Sequence, residues 1–483
     1  MTVHRRRLST CIGRPCEPNP WITDVALDSR LVTHGSLFVA CRGETRDGHD
    51  YVDAAIAAGA SAVVVDRDVG AKPVPVVRVD DTRREVAAIA ARYFGRPSRR
   101  LGCIGVTGTN GKTSVAFYTA DLLTRAGHPA AYGGTLGWGF GSRRRRASLT
   151  TEDAVTLQRR LAELVDDGAR FVALEVSSHA LDQHRTDGVD FDVAVFTNLT
   201  RDHLDYHGTM ERYGAAKARL FEGATLRHAV VNVDDAFGRR IAARLPARVK
   251  CIRYGSGTDA DVRYHDVVFG DAGMEGTLTT PWGRARIDVP LIGDFAFGNV
   301  AAATAAACAA GASFARVADA AHALTAPPGR MQLIRRTGAP SVIVDYAHTP
   351  DALAKALAAV RHHTRGRVLC VFGCGGDRDR GKRPLMAAAV EAGADAAIVT
   401  SDNPRSEDPA AIAADVERGF AHRIPVTTVL DRERAIARAI TDARPGDVVL
   451  VAGKGHEDYQ EVAGVRRPFS DVGTVERLLE GGA

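Results

Sequence analysis

The sequence has no cysteine framework. Its eight cysteines are scattered, without a single Cys-x-x-Cys pair. Neither a disulfide scaffold nor a zinc site is expected. Cys103 and Cys370 sit in apolar runs and read as buried thiols of a reducing compartment. Long hydrophobic runs are absent too. The stretch "VAAATAAACAAGA" at 300–312 is too short and too alanine-rich to cross a membrane, and predicts a packed helix. Charge of one sign is not in excess, since 63 Lys and Arg against 58 Asp and Glu leave +5. That balance gives no ground for nucleic-acid binding, and the run Arg143–Arg146 reads as a solvated loop face. The start "MTVHRRRLSTCIG" is basic but lacks the apolar stretch of a secretory signal. Its arginines leave a transit peptide as the alternative. No low-complexity tract stands out. These absences predict a cytoplasmic protein with no membrane insertion and no nucleic-acid partner.

What is present is an ordinary globular composition over 483 residues, which is too long for one core. Three α/β blocks can be read, residues 1–97, 98–327 and 328–483. The breaks fall at "FGRPSRR" and "TAPPGR", which are rich in Pro, Gly and Arg. In the first block "YVDAAIAAGASAVVVD" reads as helix, glycine stop and strand. The second opens with strand, Gly-rich loop and helix in "LGCIGVTGTNGKTSVAFYTADLLTRAG". The third alternates strand and helix, which predicts a parallel sheet with helices on both faces. Ligands of such sheets bind beyond the carboxyl ends of the strands. Those ends carry "GCGGDRDRGK", "SDNPR" and "AGKGHE".

Gly108, Thr109, Asn110, Gly111, Lys112 and Thr113 are the strongest local signal. Glycines let backbone N–H groups close on phosphate oxygens at a helix N-terminus. Lys112 would reach the β- and γ-phosphates, and the Thr113 hydroxyl would bind Mg²⁺. The full eight-residue pattern is not met, because its first glycine position holds Val106. On this motif alone the protein is any ATPase, GTPase or kinase. Glu175 at a strand end, His203 in "TRDHLDYH" and Lys217 on a helix are each, alone, more often structural. Ser177, Gln183 and Arg185 lie close in "SHALDQHR", where Arg185 could hold a diphosphate or a carboxylate. His179 and His184 have no metal-spaced partner. In "TSDNPRSEDP", Asp402, Asn403 and Pro404 form a turn, while the Arg405 fork suits a carboxylate.

Taken together, "GTNGKT", "EVSSHALDQHR", "TNLTRDHLDYHGTMERYGAAKARLF", "GDFAFGNVAAA", "GRMQLI", "DYAHTPDAL", "GCGGDRDRGKRPLM", "DNPR" and "GKGHEDYQ" resemble the Mur ligases, in family order, from about residue 24 to 470. The resemblance implies an N-terminal UDP-sugar-binding domain, a central P-loop ATPase and a C-terminal Rossmann-like domain. It implies ATP-dependent amide formation on UDP-N-acetylmuramoyl-L-alanyl-D-glutamate, in peptidoglycan precursor synthesis. The D-glutamate side-chain carboxylate would take the γ-phosphoryl group, and the amine of a diamino acid would then attack the acyl phosphate. By the same resemblance Thr113 and Glu175 bind one Mg²⁺ and His203 a second, with Lys217 as a carbamate donor. Asn299 contacts adenine, Arg330 the phosphates, Asp345 the ribose, and His348 lies near the same ATP. Ser29 belongs to the uridine site, and Thr150, Thr151, Ser177, Gln183 and Arg185 to the diphosphate and muramoyl part. Glu152 departs from the Pro or Gly that many relatives carry there. Relatives with the "DNPR" arginine generally add meso-diaminopimelate, and Arg378, Asp402, Asn403, Gly453 and Glu457 match its other contacts. Lysine lacks the distal carboxylate, so it would leave the Arg405 fork unpaired. A monomer is expected. The alternatives are a paralogue forming amide bonds in secondary metabolism, a P-loop protein without catalysis, and a dehydrogenase read from "GCGG".

Overall fold

The structure is a computed structural model and describes residues 5–43, 46–141 and 143–481. The first four residues of the basic start lie outside the described residues. By its internal contacts the chain forms two units. One runs to Val262 and takes up Ala302–Val317; the other holds Arg263–Ala301 and Ala318–Ala483.

The first unit carries three sheets, the smallest of them the antiparallel pair Arg6–Arg7 and Trp21–Ile22. A parallel four-stranded sheet runs in the order Asp24–Ala26, Ser36–Val39, Ala62–Val65, Val76–Arg78. "SLFV" and "AVVV" are buried at every residue, as strands covered on both faces must be. The predicted helix and glycine stop before Ala62 are present as Val52–Ala57 and Gly59, whose φ is +106°. The larger sheet places Gly102–Thr107 between Phe171–Glu175 and Val193–Phe196, parallel to both. Ala130–Gly134 lies beyond Phe171–Glu175, and His228–Asn232 and Lys250–Gly255 lie on the other side. The chain leaves Gly102–Thr107 for one side of the sheet and later returns on the other, so the Gly-rich loop sits where the strand order reverses. That position is where open α/β sheets bind ligands. The stretch read as a first linker is a 3₁₀ helix, Pro97–Arg100, with Pro97 and Ser98 buried.

The second unit holds a six-stranded sheet in the order Gln332–Ile334, Ser341–Asp345, Val448–Ala452, Val368–Phe372, Ala396–Val399, Val426–Thr428. All but the first strand are parallel. Side chains alternate between two buried faces. Val342, Val344, Leu369, Val371, Val449 and Val451 enter one core. Ile343, Val368, Cys370, Phe372, Val448 and Leu450 enter the other. Each such aliphatic side chain contributes about 1.5–3 kcal/mol on burial. The period is two, yet neither face is polar, so the sequence shows unbroken apolar runs. Antiparallel strands Val262–Gly270, Gly273–Thr280 and Gly283–Val289 form a meander that the reading of the sequence missed. Its strands are half polar and carry the weak alternation of an exposed face. The alanine-rich stretch is a packed helix as expected, Asp294–Ala309. Among the described residues, no helix is long and apolar enough to cross a membrane.

One buried ion pair ties the second sheet's rim together. Arg432 and Asp471 are almost wholly inaccessible and pair bidentately, Nε to Oδ1 and Nη2 to Oδ2, both at 2.7 Å. Nη1 also donates to Ser401 O at 3.4 Å and Nη2 to Ala452 O at 3.0 Å, at the ends of two strands. Arg432→Ala strands the Asp471 carboxylate and should lower stability by about 3–5 kcal/mol. Arg432→Met with Asp471→Leu should cost much less. Urea unfolding midpoints of the two variants check this.

Candidate active site

Around the Gly-rich loop, the strand Gly102–Thr107 ends in Gly108 and the helix Lys112–Arg125 begins four residues later. Gly108 has φ +149°, and a Cβ there would lie 1.9 Å from Thr197 Oγ1. Only glycine fits. The loop is fixed from the 197–200 segment. Thr109 N donates to Asn198 O at 2.8 Å, and Asn110 N to Asn198 Oδ1 at 3.0 Å. Lys112 Nζ donates to Gly108 O at 2.9 Å and Thr109 O at 2.7 Å. Lys217 Nζ reaches the same Gly108 oxygen at 2.8 Å. Lys217 is buried over the Tyr213 ring, 4.4 Å from its centroid. Burial, with the Lys112 charge beside it, holds the Lys217 amine well below the usual lysine range.

Glu175 is 2% exposed, at the end of its strand. Its Oε2 accepts from Thr113 Oγ1 at 2.8 Å and Thr135 Oγ1 at 3.2 Å. Its Oε1 accepts from Thr135 N at 2.8 Å and from the Tyr132 hydroxyl. Tyr132 and Thr135 were missed in the sequence, because nothing in "AAYGGTL" marks them. His203 has φ +51° and begins the turn Leu204–His207. Its ring lies 5.0 Å from His179 and 6.0 Å from Tyr213, the ring under Lys217. The geometry therefore gathers Lys112, Thr113, Glu175 and Lys217 about the loop, with His203 one aromatic ring further out. Among the described residues, no three His, Cys, Asp or Glu side chains form a ready metal cluster.

Beside Glu175 lies the second predicted group. Thr150 Oγ1 is 3.2 Å from Thr135 Oγ1. Thr151 Oγ1 donates to Glu175 O at 2.8 Å and accepts from Ser177 N at 3.0 Å. Arg185 Nη1 donates to Thr151 O at 3.1 Å, and Arg185 Nε to Gln183 Oε1 at 3.0 Å. The departure at Glu152 has a local role. Its buried carboxylate accepts from Ser148 N at 3.0 Å and Ser148 Oγ at 2.6 Å, closing the loop before Asp153. Ser29 stands apart at the end of the small sheet, where it opens the 3₁₀ turn capped by Asp28. Among the described residues, no hydrogen bond joins it to this group.

In the second unit Arg330, Asp345 and His348 surround Tyr346. The Arg330 guanidinium lies 4.5 Å over the Tyr346 ring. Asp345 accepts from Met331 N at 2.8 Å and Ala347 N at 2.7 Å. Burial raises its pKa, against the pull of Arg330. His348 Nδ1 is 2.8 Å from Tyr346 O, and the ring 4.7 Å from Tyr346. His456, not singled out in the sequence, lies 5.2 Å from the same ring. Burial and Arg330 push its pKa down to about 4, so it is neutral at working pH. Asn299 lies on the helix Asp294–Ala309 and shares no hydrogen bond with this group among the described residues.

The loops at the rim of the six-stranded sheet do converge. Arg405 has φ +54°. The small hairpin Tyr459–Val462 with Val465–Pro468 holds it so. Arg405 N donates to Glu461 O at 3.0 Å, and Ala463 N to Arg405 O at 2.7 Å. A positive φ at a non-glycine residue is a cost that such contacts must offset. The Arg405 Nη1 donates to Gly376 O at 2.7 Å. Among the described residues, no carboxylate lies within ion-pair distance of this guanidinium. Asn403 Nδ2 donates to Glu457 Oε2 at 2.8 Å. Gly453 has φ +120°, and a Cβ there would lie 3.1 Å from Asp402 Oδ2. Arg378 is exposed beside them. Nothing in the sequence marks Lys454. This fully buried residue donates to Asn403 Oδ1 and Glu457 Oε2, each at 3.1 Å, and lies 3.5 Å from Asp402 Oδ1.

Three family models divide the chain. Residues 22–94 match "Mur ligase family, catalytic domain", 106–307 "Mur ligase middle domain", and 329–455 "Mur ligase, glutamate ligase domain". A UDP-N-acetylmuramoyl-L-alanyl-D-glutamate–2,6-diaminopimelate ligase of Chromobacterium violaceum is 48% identical over 467 residues, 95% of this chain and 94% of that protein. The chain belongs to the Mur ligase family. The Pseudomonas aeruginosa ligase of the same name is 48% identical to this Mur ligase over 463 residues, 95% of each chain. A solved structure of a ligase of that name superposes with a TM-score of 0.76 at 37% identity, over 99% of each chain. A folylpolyglutamate synthase of Mycobacterium tuberculosis shares the fold, with a TM-score of 0.62 at 21% identity over 76% of this chain and 92% of that one. The incomplete "GCGG" fingerprint therefore lies in a Mur ligase, not a dehydrogenase.

The crowding at Gly108 gives a test. Gly108→Ala should weaken ATP binding at least about tenfold, because the Cβ forces the loop away from Thr197. Titration with a fluorescent ATP analogue checks it. An unchanged affinity would mean that the loop takes another shape when nucleotide binds.

Proposed function

We propose that this Mur ligase joins meso-diaminopimelate to UDP-N-acetylmuramoyl-L-alanyl-D-glutamate, with ATP cleaved to ADP and phosphate. The observation that carries the choice of amino acid is Arg405. Its loop is held in a strained conformation, its fork is partnered only by one backbone carbonyl in the set of described residues, and acidic groups stand near by. An amino-acid end that bears both an ammonium and a carboxylate satisfies that arrangement. A lone ammonium, as in lysine, does not.

The ATP side is read in the same way. A carboxylate is a poor electrophile until its oxygen carries a good leaving group. The D-glutamate side-chain oxygen attacks the γ-phosphorus, and ADP leaves. The free amine of diaminopimelate then attacks the acyl carbon, and phosphate departs with the former carboxylate oxygen. The Gly108–Thr113 backbone and Lys112 hold the triphosphate. Thr113 and Glu175 offer the oxygen donors that a hard dication takes, 2.8 Å apart. Mg²⁺, when bound, would screen the triphosphate against the approaching carboxylate. His203 is assigned to a second ion. Lys217 is assigned as a carbamate, and its depressed pKa supports this, because the neutral amine is the form that adds CO₂. Thr150, Thr151, Ser177, Gln183 and Arg185 are assigned to the sugar-nucleotide, with Ser29 at its uridine end. Asn299, Arg330, Asp345 and His348 are assigned to ATP, and Arg378, Asp402, Asn403, Arg405, Gly453 and Glu457 to diaminopimelate. We place domain boundaries near residues 97 and 327, and the enzyme in the cytoplasm as a monomer.

Phosphate release with the muramoyl dipeptide, ATP, Mg²⁺ and either diamino acid tests this directly. Turnover is expected with diaminopimelate and not with lysine. Arg405→Ala should lower kcat/KM for diaminopimelate about a hundredfold, the loss of two charge-assisted hydrogen bonds, and leave the KM for ATP within about twofold. Equal use of diaminopimelate by wild type and variant would refute the assignment of Arg405.

A further inference from the structure

Between the residues assigned to ATP and those assigned to diaminopimelate stands a histidine that neither set uses. The strands Ser341–Asp345 and Val448–Ala452 pair in parallel and end together, Asp345 opposite Ala452. Their loops leave the same rim, tied by Gly453 N donating to Asp345 O at 3.1 Å. Two glycines let the second loop crowd its neighbours. A Cβ on Gly329 would lie 2.2 Å from His456 N, and one on Gly455 2.8 Å from Tyr346 Cβ. The His456 ring is thereby set 5.2 Å from the Tyr346 ring, over which the Arg330 guanidinium lies at 4.5 Å. The next residue is Glu457, which accepts from Asn403 Nδ2. Arg330 is assigned to the phosphates and Glu457 to the amino acid. An acyl phosphate is made from the one and consumed by the other, so it lies between them, where His456 stands.

Neither nitrogen of this ring has a hydrogen-bond partner among the described residues, and only Nδ1 is buried. Arg330 Nε, beside the same Tyr346 ring, is also buried without a partner among them. A bare lone pair on Nδ1 suits that positive neighbour, and a proton there does not. The proton is then on Nε2, the nitrogen left open. We propose that His456 is a catalytic residue, a neutral donor whose Nε2–H bonds the carbonyl oxygen of the acyl phosphate as the amine attacks. The proposal rests on the ligase reading above. In that step the amine nitrogen forms its bond to the acyl carbon, and the carbonyl π pair moves onto oxygen. The pair then returns, the bond from carbon to the phosphate oxygen breaks, and the proton of the amine leaves to solvent. His456 donates a hydrogen bond throughout and gives up no proton. A donor aimed at a developing oxyanion contributes about a hundredfold. The state of the ring fits this role. Burial and Arg330, against Asp458, hold its pKa at about 4, where it is a poor base and stays a neutral donor.

The test separates the two chemical steps, since charge develops on the acyl oxygen only in the second. Acyl phosphate formation is read as scrambling of heavy oxygen from the β,γ-bridge of ATP, with muramoyl dipeptide and Mg²⁺ but no diamino acid. Amide formation is read as product with diaminopimelate. His456→Phe keeps a ring against Tyr346 and removes the donor. It should lower kcat for amide formation about a hundredfold, and leave scrambling and the KM for ATP within about threefold of wild type. His456→Gln restores an N–H donor and should recover at least about tenfold of that loss. Equal losses in scrambling and amide formation would mean a structural role and overturn the proposal, as would an unchanged kcat in His456→Phe. So would an acid limb in the wild-type pH profile of kcat that His456→Gln lacks, because a base would then be at work. If His456→Phe does not fold, the pH profiles of wild type and His456→Gln decide, with matching shapes expected and a lost acid limb overturning the proposal. Failure of the ligase reading looks different, because wild type would then neither scramble oxygen with muramoyl dipeptide nor form the amide, and both proposals fall.

Discussion

Two lysine side chains converge on one carbonyl oxygen, that of Gly108. Much of the first unit can be read as a consequence. Positive groups brought this close in a partly buried place repel each other unless one gives up its proton or an anion arrives. Both routes are open here. Lys217 is held toward its neutral form by burial and by Lys112. The glycines at 108 and 111, both at positive φ, leave the backbone free to close on phosphate oxygens. The carboxylate of Glu175 sits at the end of the neighbouring strand, fixed by four donors, and presents Thr113 at a set distance. The strand order places all of these at one rim.

The second unit meets a different constraint. On the proposed reading it takes a small molecule carrying both signs of charge, and it holds both signs itself without collapsing them onto each other. It does so by pairing most of them. Arg432 is spent on Asp471, and Arg383 on Glu407 and Asp415. Lys454 takes up part of the Asp402 and Glu457 charge. Among the described residues no carboxylate pairs with the Arg405 fork, and the neighbouring hairpin bonds its backbone at positive φ. The pairing partners lie far apart in sequence.

That last point explains what could be read from the sequence. The alternating strands and helices of the third block were visible because local periodicity reports local structure. The Gly-rich loop was visible because its residues act as one contiguous piece. Lys112, Thr113 and Glu175 could be proposed from motif and family order, and the structure brings them together. Tyr132, Thr135 and Lys454 could not, since each matters through a partner 40 or more residues away, as in Tyr132 with Glu175 or Lys454 with Asn403. The antiparallel meander escaped for another reason. Its first and last strands are only partly buried, so their alternation is diluted by polar residues on the open face. The Glu152 departure has a local use that sequence order does not show, closing a loop on Ser148.

In the proposed reaction a carboxylate is activated by phosphorylation before an amine is chosen. The measurement that reaches this most directly uses muramoyl dipeptide whose D-glutamate side-chain carboxylate carries heavy oxygen. The protein, ATP, Mg²⁺ and diaminopimelate are added, and the released phosphate is examined by mass spectrometry. An acyl phosphate predicts one heavy oxygen in the phosphate for each amide formed. Amide formation with unlabelled phosphate would mean that no acyl phosphate forms.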